Sequence, residues 1–382
     1  MSFRAPALLF LATALAAAPP QLVLSVPEGT DLGMPGVPSA ADTWLAMVEG
    51  AATRLDFAQF YLANRPGSAL DRVVAALEAA GRRGVKVRFL LSARGPEADA
   101  ATLARIRAIP GAEVRHLDLS DRKGVLHAKY FLVDGRELFV GSQNFDWRAL
   151  AHIHETGVRL DAPGTVARLG AVFESDWARA GKAVPPKIAL PPLQSGEPEL
   201  LASPADLNPP GVRATLPVLL DLLAQARTRI RMQVLTYNPA TGGQAHWPLL
   251  DNALRAAAVR GVKVELLVSD WNLEAPAVHH LRSLAALPHV EVRVTAIPED
   301  PGGFIPYARV IHSKLLRVDR DTLMVSTSNG SERYFTASRN VEVLFRDAAL
   351  AAQADLISDR LWNSPHTFRL EPGRTYTPRK RG

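Results

Sequence analysis

The sequence predicts an α/β protein: two tandem, pseudo-twofold-related α/β/α domains with mixed sheets and the active site at their interface. Three observations carry this. Helices alternate with short apolar strands, the pattern of α/β layering. Residues 77–92 match residues 254–269, each a helix, a Gly stop and a buried strand, with Val85-Lys-Val87 against Val262-Lys-Val264. Finally, two strings share the spacing HxK(x)4D(x)6 before a small polar turn ending in Asn: His127-Ala-Lys129, Asp134 and Gly141-Ser142-Gln143-Asn144, then His312-Ser-Lys314, Asp319 and Ser326-Thr327-Ser328-Asn329.

The elements follow in order. Residues 1–18 read as an export signal, with Arg4 before a short apolar run from Ala5 to Leu15 and small residues for cleavage near Ala18. That run is shorter than the ~20 apolar residues a membrane span needs. The mature protein is therefore expected in the periplasm or outside the cell. The first domain (19–184) opens with a helix over Trp44–Arg54 and a strand over Leu55–Tyr61, followed by the 77–92 unit, a helix over Ala98–Ala108 and a strand over Glu113–Leu117. Asp134-Gly135 is a hairpin turn between Tyr130–Val133 and Leu138–Val140. Residues 185–210, with three Pro-Pro pairs, read as a linker. The second domain (211–370) repeats the order: a helix over Leu216–Arg227, a strand over Ile230–Tyr237, the 254–269 unit, a helix over Ala277–Leu287, a strand over Val290–Val294 and the second HxK string. Residues 371–382 read as a disordered basic tail.

Composition sets limits. The chain has 382 residues and is 47% hydrophobic, enough for a large core in two or three domains. A net charge of +6 is compatible with an anionic substrate without identifying a nucleic-acid binder. With no cysteine, disulfides and thiolate metal sites are excluded.

The HxK strings carry the chemistry. Side chains two apart share one face of a strand, so each string sets an imidazole beside an ammonium. Two such pairs make a phosphate site. One imidazole can attack phosphorus while the other protonates the departing oxygen, and the roles reverse when water arrives. Lys129, Lys314, Asn144 and Asn329 then hold the non-bridging oxygens. Asp134 and Asp319 stand an odd number of positions from their histidines, at the hairpins, and read as structural. No metal or other cofactor is expected: His152 and His154 have the spacing of a ligand pair, but nothing completes a set around them.

These strings resemble the phospholipase D superfamily. The resemblance narrows to its endolysosomal group, which includes single-strand 5′-exonucleases and bacterial relatives, through Gly124–Asp134, Gly141–Leu150 and Ile305–His312, and outside the motifs through Leu22–Gly29, Trp247–Arg255 and Ser328–Phe335. It implies a phosphodiesterase acting through a covalent phosphohistidine, with His127 as nucleophile and His312 as acid. It also implies that a carboxylate holds each imidazole, for which Glu155 and Glu342 are the candidates. Ser142 and Thr327 are expected to bind phosphate. The substrate is a phospholipid head group, which would bring contact with a membrane surface, or a single strand of DNA or RNA. Trp271, Tyr237, Phe304 and Tyr307 are candidates to stack a base or border a lipid chain. In the second motif Ser326 replaces a Gly and Gly330 stands where the group carries Trp, so a wall of the pocket is expected to be missing. The competing class is a catalytically weakened phosphate- or nucleic-acid-binding protein of the same fold.

Overall fold

The computed structural model describes residues 19–240 and 245–382, so the expected export signal lies outside the described residues. Seven strands make the first sheet, in the order Gln21–Ser25, Glu155–Leu160, Glu137–Gly141, Tyr130–Val133, Arg54–Gln59, Lys86–Ser92, Glu113–Leu117. The second sheet runs Glu199–Ser203, Asn340–Arg346, Thr322–Ser326, Leu315–Val318, Arg229–Val234, Lys263–Ser269, Val290–Thr295, with short strands Arg213–Ala214 and Thr367–Arg369 added at its two edges. The strand orders correspond. Both sheets are mixed, because parallel neighbours such as Arg54–Gln59 and Lys86–Ser92 need a crossover helix while each HxK hairpin folds straight back.

The crossover helix Ala69–Arg82 shows why these segments fold as they do. Ser68 accepts from the Asp71 backbone N–H as its cap. Leu70, Val73, Val74, Leu77 and Ala80 then recur on one buried face. The chain leaves through Gly84 at φ +91°, a conformation that favours glycine. The first helix runs over Ala40–Glu49 instead of the expected 44–54, because Ser39 caps it earlier and Gly50 ends it.

Alternation along the strands divides the core. Tyr130, Leu132, Leu138 and Val140 join Leu315, Leu323, Val325 and Val343 in one cluster between the sheets, with Phe173 of helix Pro163–Ala180 and Ile357 of helix Ala348–Trp362. Phe131, Val133 and Phe139 point the other way, toward Trp44 and Val73. Burying each such side chain stabilises the fold by about 1.5–3 kcal/mol, and the shared cluster fixes one sheet against the other.

Two expected boundaries move. Residues 199–203 are not linker: they pair antiparallel with Asn340–Arg346, just as Gln21–Ser25 pairs with Glu155–Leu160. Their apolar run supplies the edge strand the second sheet needs. The basic tail is not free either, since Arg379 reaches Asp270 and the Ile297 carbonyl, and Arg381 reaches Glu274 and the Trp271 carbonyl. No described helix is long and apolar enough to cross a membrane.

Candidate active site

The HxK triplets lie just ahead of the strands expected to carry them, which begin at Tyr130 and Leu315. Each triplet is pinned to the opposite half. The His127 and Ala128 N–H groups both donate to the Arg339 carbonyl at 2.9 Å, and those of His312 and Ser313 to the His154 carbonyl at 2.8 and 3.2 Å. Arg339 is itself held by a fully buried pair with Asp176, Nε to Oδ2 at 2.8 Å, and donates to Asn208 and to the Ser203 and Leu207 carbonyls.

The imidazoles also rest on the opposite half. His312 Nδ1 lies 2.7 Å from Glu155 Oε2. His127 Nδ1 lies 3.0 Å from Asn340 Oδ1, not beside Glu342. This corrects the expected partner. Corresponding residues of the two motifs are 185 positions apart throughout, which sets Asn340 against Glu155 and Glu342 against Gly157. The constant spacing was the signal for Asn340; the search for a second carboxylate passed over it. Glu342 is buried one turn of pleat away, where the hydroxyls of Thr215, Ser326 and Ser328 donate to it. Burial lifts its carboxyl to about 6 against those hydrogen bonds. The Ser326 side chain therefore faces inward to Glu342 rather than into the phosphate site.

Lys129 and Lys314 are buried, each donating to the carbonyl of its own histidine at 2.5 Å. Burial lowers Lys314 to about 7, against the pull of Glu155, and also lowers Lys129, helped by Lys314. Glu155 is raised to about 8 by burial, in spite of Lys314, Ser142 and Lys129. Burial and the two lysines push both imidazoles well below their ordinary value. An arriving phosphodiester anion reverses this bias, because a neighbouring negative charge favours every cation in the pocket.

The Asn329 side chain hydrogen-bonds the Tyr334 hydroxyl, while its Oδ1 accepts from the Thr236 N–H at 3.4 Å. Asn144 is also buried, with its Oδ1 unpartnered. Ser142 and Thr327 do not present their hydroxyls as expected. Ser142 Oγ bonds the Thr156 backbone, and Thr327 Oγ1 accepts from the Val341 N–H at 3.0 Å and lies 3.1 Å from Asn340 Oδ1. Asp134 accepts from the N–H groups of Ala52, Thr53 and Arg54, and Asp319 from those of Arg227, Thr228 and Arg229. Both therefore tie a hairpin to the start of a neighbouring strand.

At the mouth, a cleft of about 390 Å³ is lined by Phe60, Lys123, His127, Arg333 and Tyr334. The rings of Phe60 and Tyr334 stand 5.3 and 4.8 Å from the His127 ring. Neither residue was singled out in the sequence. Of the expected aromatics, Tyr237 is core, its hydroxyl donating to Asp251 at 2.7 Å. Trp271, Phe304 and Tyr307 instead surround the basic tail. Gly330 opens no wall: a Cβ there would meet Tyr237 Cδ2 at 2.7 Å, so the tyrosine already fills the space. His152 faces Asp300 and His154 faces Ser313, and no cluster of three metal-ligating side chains occurs among the described residues.

Comparison with known proteins agrees with this geometry. The family model described as "Cardiolipin synthase, PLD-like domain" matches residues 45–177 and 219–362, once in each half. The 5'-3' exonuclease PLD3 of Rattus norvegicus is 35% identical over 92% of this chain and 80% of its own. Phospholipase D Z of Dictyostelium discoideum is 30% identical over 86% of each chain. Among solved structures, phosphatidylserine synthase of Haemophilus influenzae superposes with a TM-score of 0.64 at 15% identity, covering 87% of this chain and 85% of that one, a likeness of fold. With its paired HxK strings at one interface and this similarity over nearly its whole length, the chain belongs to the phospholipase D-like family.

Proposed function

We propose that this phospholipase D-like phosphodiesterase hydrolyses its substrate through a phosphohistidine on His127, at the end of a single nucleic-acid strand. One observation carries the mechanism: each imidazole has its Nδ1 engaged by a residue of the opposite half, which leaves Nε2 as the reactive nitrogen of both rings. The His312–Glu155 pair can hold one proton between its two basic sites, whereas the carboxamide beside His127 cannot take one up at neutral pH. The His127 Nε2 lone pair forms the N–P bond as the bond from phosphorus to the leaving oxygen breaks, and His312 gives that oxygen its proton. Water then attacks phosphorus, returning a proton to His312 and the lone pair to His127. Lys129 and Lys314 then stabilise the charge on the non-bridging oxygens.

The mouth supports the nucleic-acid reading. Phe60 and Tyr334 offer ring faces and edges beside Lys123 and Arg333, the combination of stacking surface and cation that suits a single strand. Relatives named 5'-3' exonuclease point the same way. Relatives named phospholipase D keep a lipid head group as the second reading. The leader-like residues 1–18 support export. The test is turnover of 5′-hydroxyl single strands, matched duplexes, and phosphatidylcholine or phosphatidylglycerol vesicles. Single strands should be shortened from the 5′ end faster than duplexes; turnover confined to vesicles would reverse the assignment, and binding without turnover would make the protein a binder.

A further inference from the structure

We propose that Asn340 is a positioning residue that locks His127 in the tautomer protonated at Nδ1, and so makes it the nucleophile of the pair. This rests on the phosphohistidine reading above and explains which histidine takes which role. The two motifs correspond position by position, yet where one half presents Glu155 to His312 the other presents Asn340 to His127. The exchange of carboxylate for carboxamide breaks the symmetry of the site.

The orientation of the amide is determined by its other end. Asn340 Nδ2 faces the Tyr334 carbonyl at 2.8 Å and the Ser338 carbonyl at 3.4 Å. A carbonyl can only accept, so the group facing it is the NH2 and the group facing His127 is the oxygen. That oxygen accepts a hydrogen bond and offers none. His127 must then carry its proton on Nδ1, which leaves the Nε2 lone pair exposed for attack. Tyr334 closes the arrangement, since its carbonyl anchors the amide while its ring packs against the imidazole.

Burial, Lys129 and Lys314 keep His127 uncharged, outweighing the hydrogen bonds from its ring to Asn340 and to the Thr327 backbone. From its own motif His127 faces Lys129, from the opposite motif Lys314 and His312, and around the mouth Lys123, Glu332 and Arg333. Glu155 is the nearby acid, and it is spent on His312. A carboxylate at position 340 would draw a second proton onto His127 and remove its lone pair. A neutral acceptor orients the ring without doing so.

Two measurements test this. In protein labelled with 15N-histidine, the resonances lost in His127→Gln identify the ring, and Nδ1 should carry the proton; a ring protonated at Nε2 overturns the proposal without any need for a folded Asn340 variant. In Asn340→Asp the acid limb of the kcat/KM profile should move up by about one pH unit or more, because a facing carboxylate favours imidazolium and attack needs the neutral ring. Asn340→Ala should lose about 10²-fold in kcat at little cost in KM, the scale on which misplacing a reacting group acts, with no upward move of the acid limb. A loss in Asn340→Asp by the same factor at every pH overturns the positioning role. If denaturation traps no phosphohistidine in the wild type while the spectrum shows Nδ1–H, the mechanism falls and the tautomer lock stands.

Discussion

Glu155 and His312 meet across the boundary between the two halves, carboxylate Oε2 to imidazole Nδ1 at 2.7 Å. The contact makes the His312 imidazole of one half dependent on a strand of the other. The same dependence runs in reverse from Asn340 to His127, so neither half holds a finished site.

His127→Ala and His312→Ala should therefore each remove nearly all turnover, not half of it. Steady-state rates on the preferred substrate decide this. Activity near half of wild type in either variant would mean two independent sites.

Asp134→Ala should lower stability and leave the chemistry in place. The carboxylate satisfies three backbone N–H groups at the start of a neighbouring strand, and leaving such groups unpaired costs about 1–3 kcal/mol each where they are buried. Burial works against its charge, but those hydrogen bonds outweigh it and hold the carboxyl below its ordinary value. A depressed folded-state pKa stabilises above the unfolded value near ~3.9 and is lost as pH falls through the folded one. The stability gap between wild type and variant should be full at pH 7 and narrow below about pH 4, measured by urea unfolding.

Asp176→Ala should damage both fold and site. It leaves the Arg339 guanidinium buried without its carboxylate, a change worth about 3–5 kcal/mol. Because the Arg339 carbonyl holds the His127 and Ala128 N–H groups, turnover should also fall while the protein is still folded. Unfolding curves and activity well below the midpoint separate the two effects. A destabilised variant with unchanged kcat would free the His127 triplet from this pair.

The fold was legible because its signals are local. Capping residues, the 3.6-residue period of Ala69–Arg82 and the two-residue period of Tyr130–Val133 each depend on neighbours in sequence. The edge strand Glu199–Ser203 was obscured by flanking prolines, although its apolar run parallels Leu22–Ser25. The pairing of the His and Lys side chains was legible from spacing. Their supports were not, since Asn340, Arg339 and Tyr334 act through folding partners that residue type alone does not announce. Residue type pointed to Glu342, but it stands two residues further along the same strand face as Asn340 and meets Ser326 and Ser328 instead.

Gly330→Ala should destabilise, and Gly330→Trp more so, without sharpening selectivity. The added Cβ meets Tyr237 Cδ2 at 2.7 Å and its Cα at 3.4 Å, and Tyr237 is anchored on Asp251. Overpacking of this kind costs about 1–3 kcal/mol. Thermal unfolding with a substrate panel checks it. A stable Trp variant with redirected kcat/KM would restore Gly330 as a pocket wall.

Glu342→Gln should stabilise the protein near neutral pH. Burial raises this carboxyl to about 6, above the ~4.3 of an unfolded glutamate, so the folded state binds the proton more tightly. With the folded pKa raised, unfolding releases a proton between those values and stability falls as pH rises through the window, by at most about 2 kcal/mol. Gln remains neutral throughout and can still accept from two of the three surrounding hydroxyls, while the third turns to accept from its NH2. The wild type and variant should match below about pH 4 and separate between ~4.3 and about 6, with the full gap present above pH 6 and the variant more stable. Equal slopes of unfolding free energy against pH would show that Glu342 stays ionised in the folded protein, with the Ser326 and Ser328 hydroxyls sufficient to hold its charge.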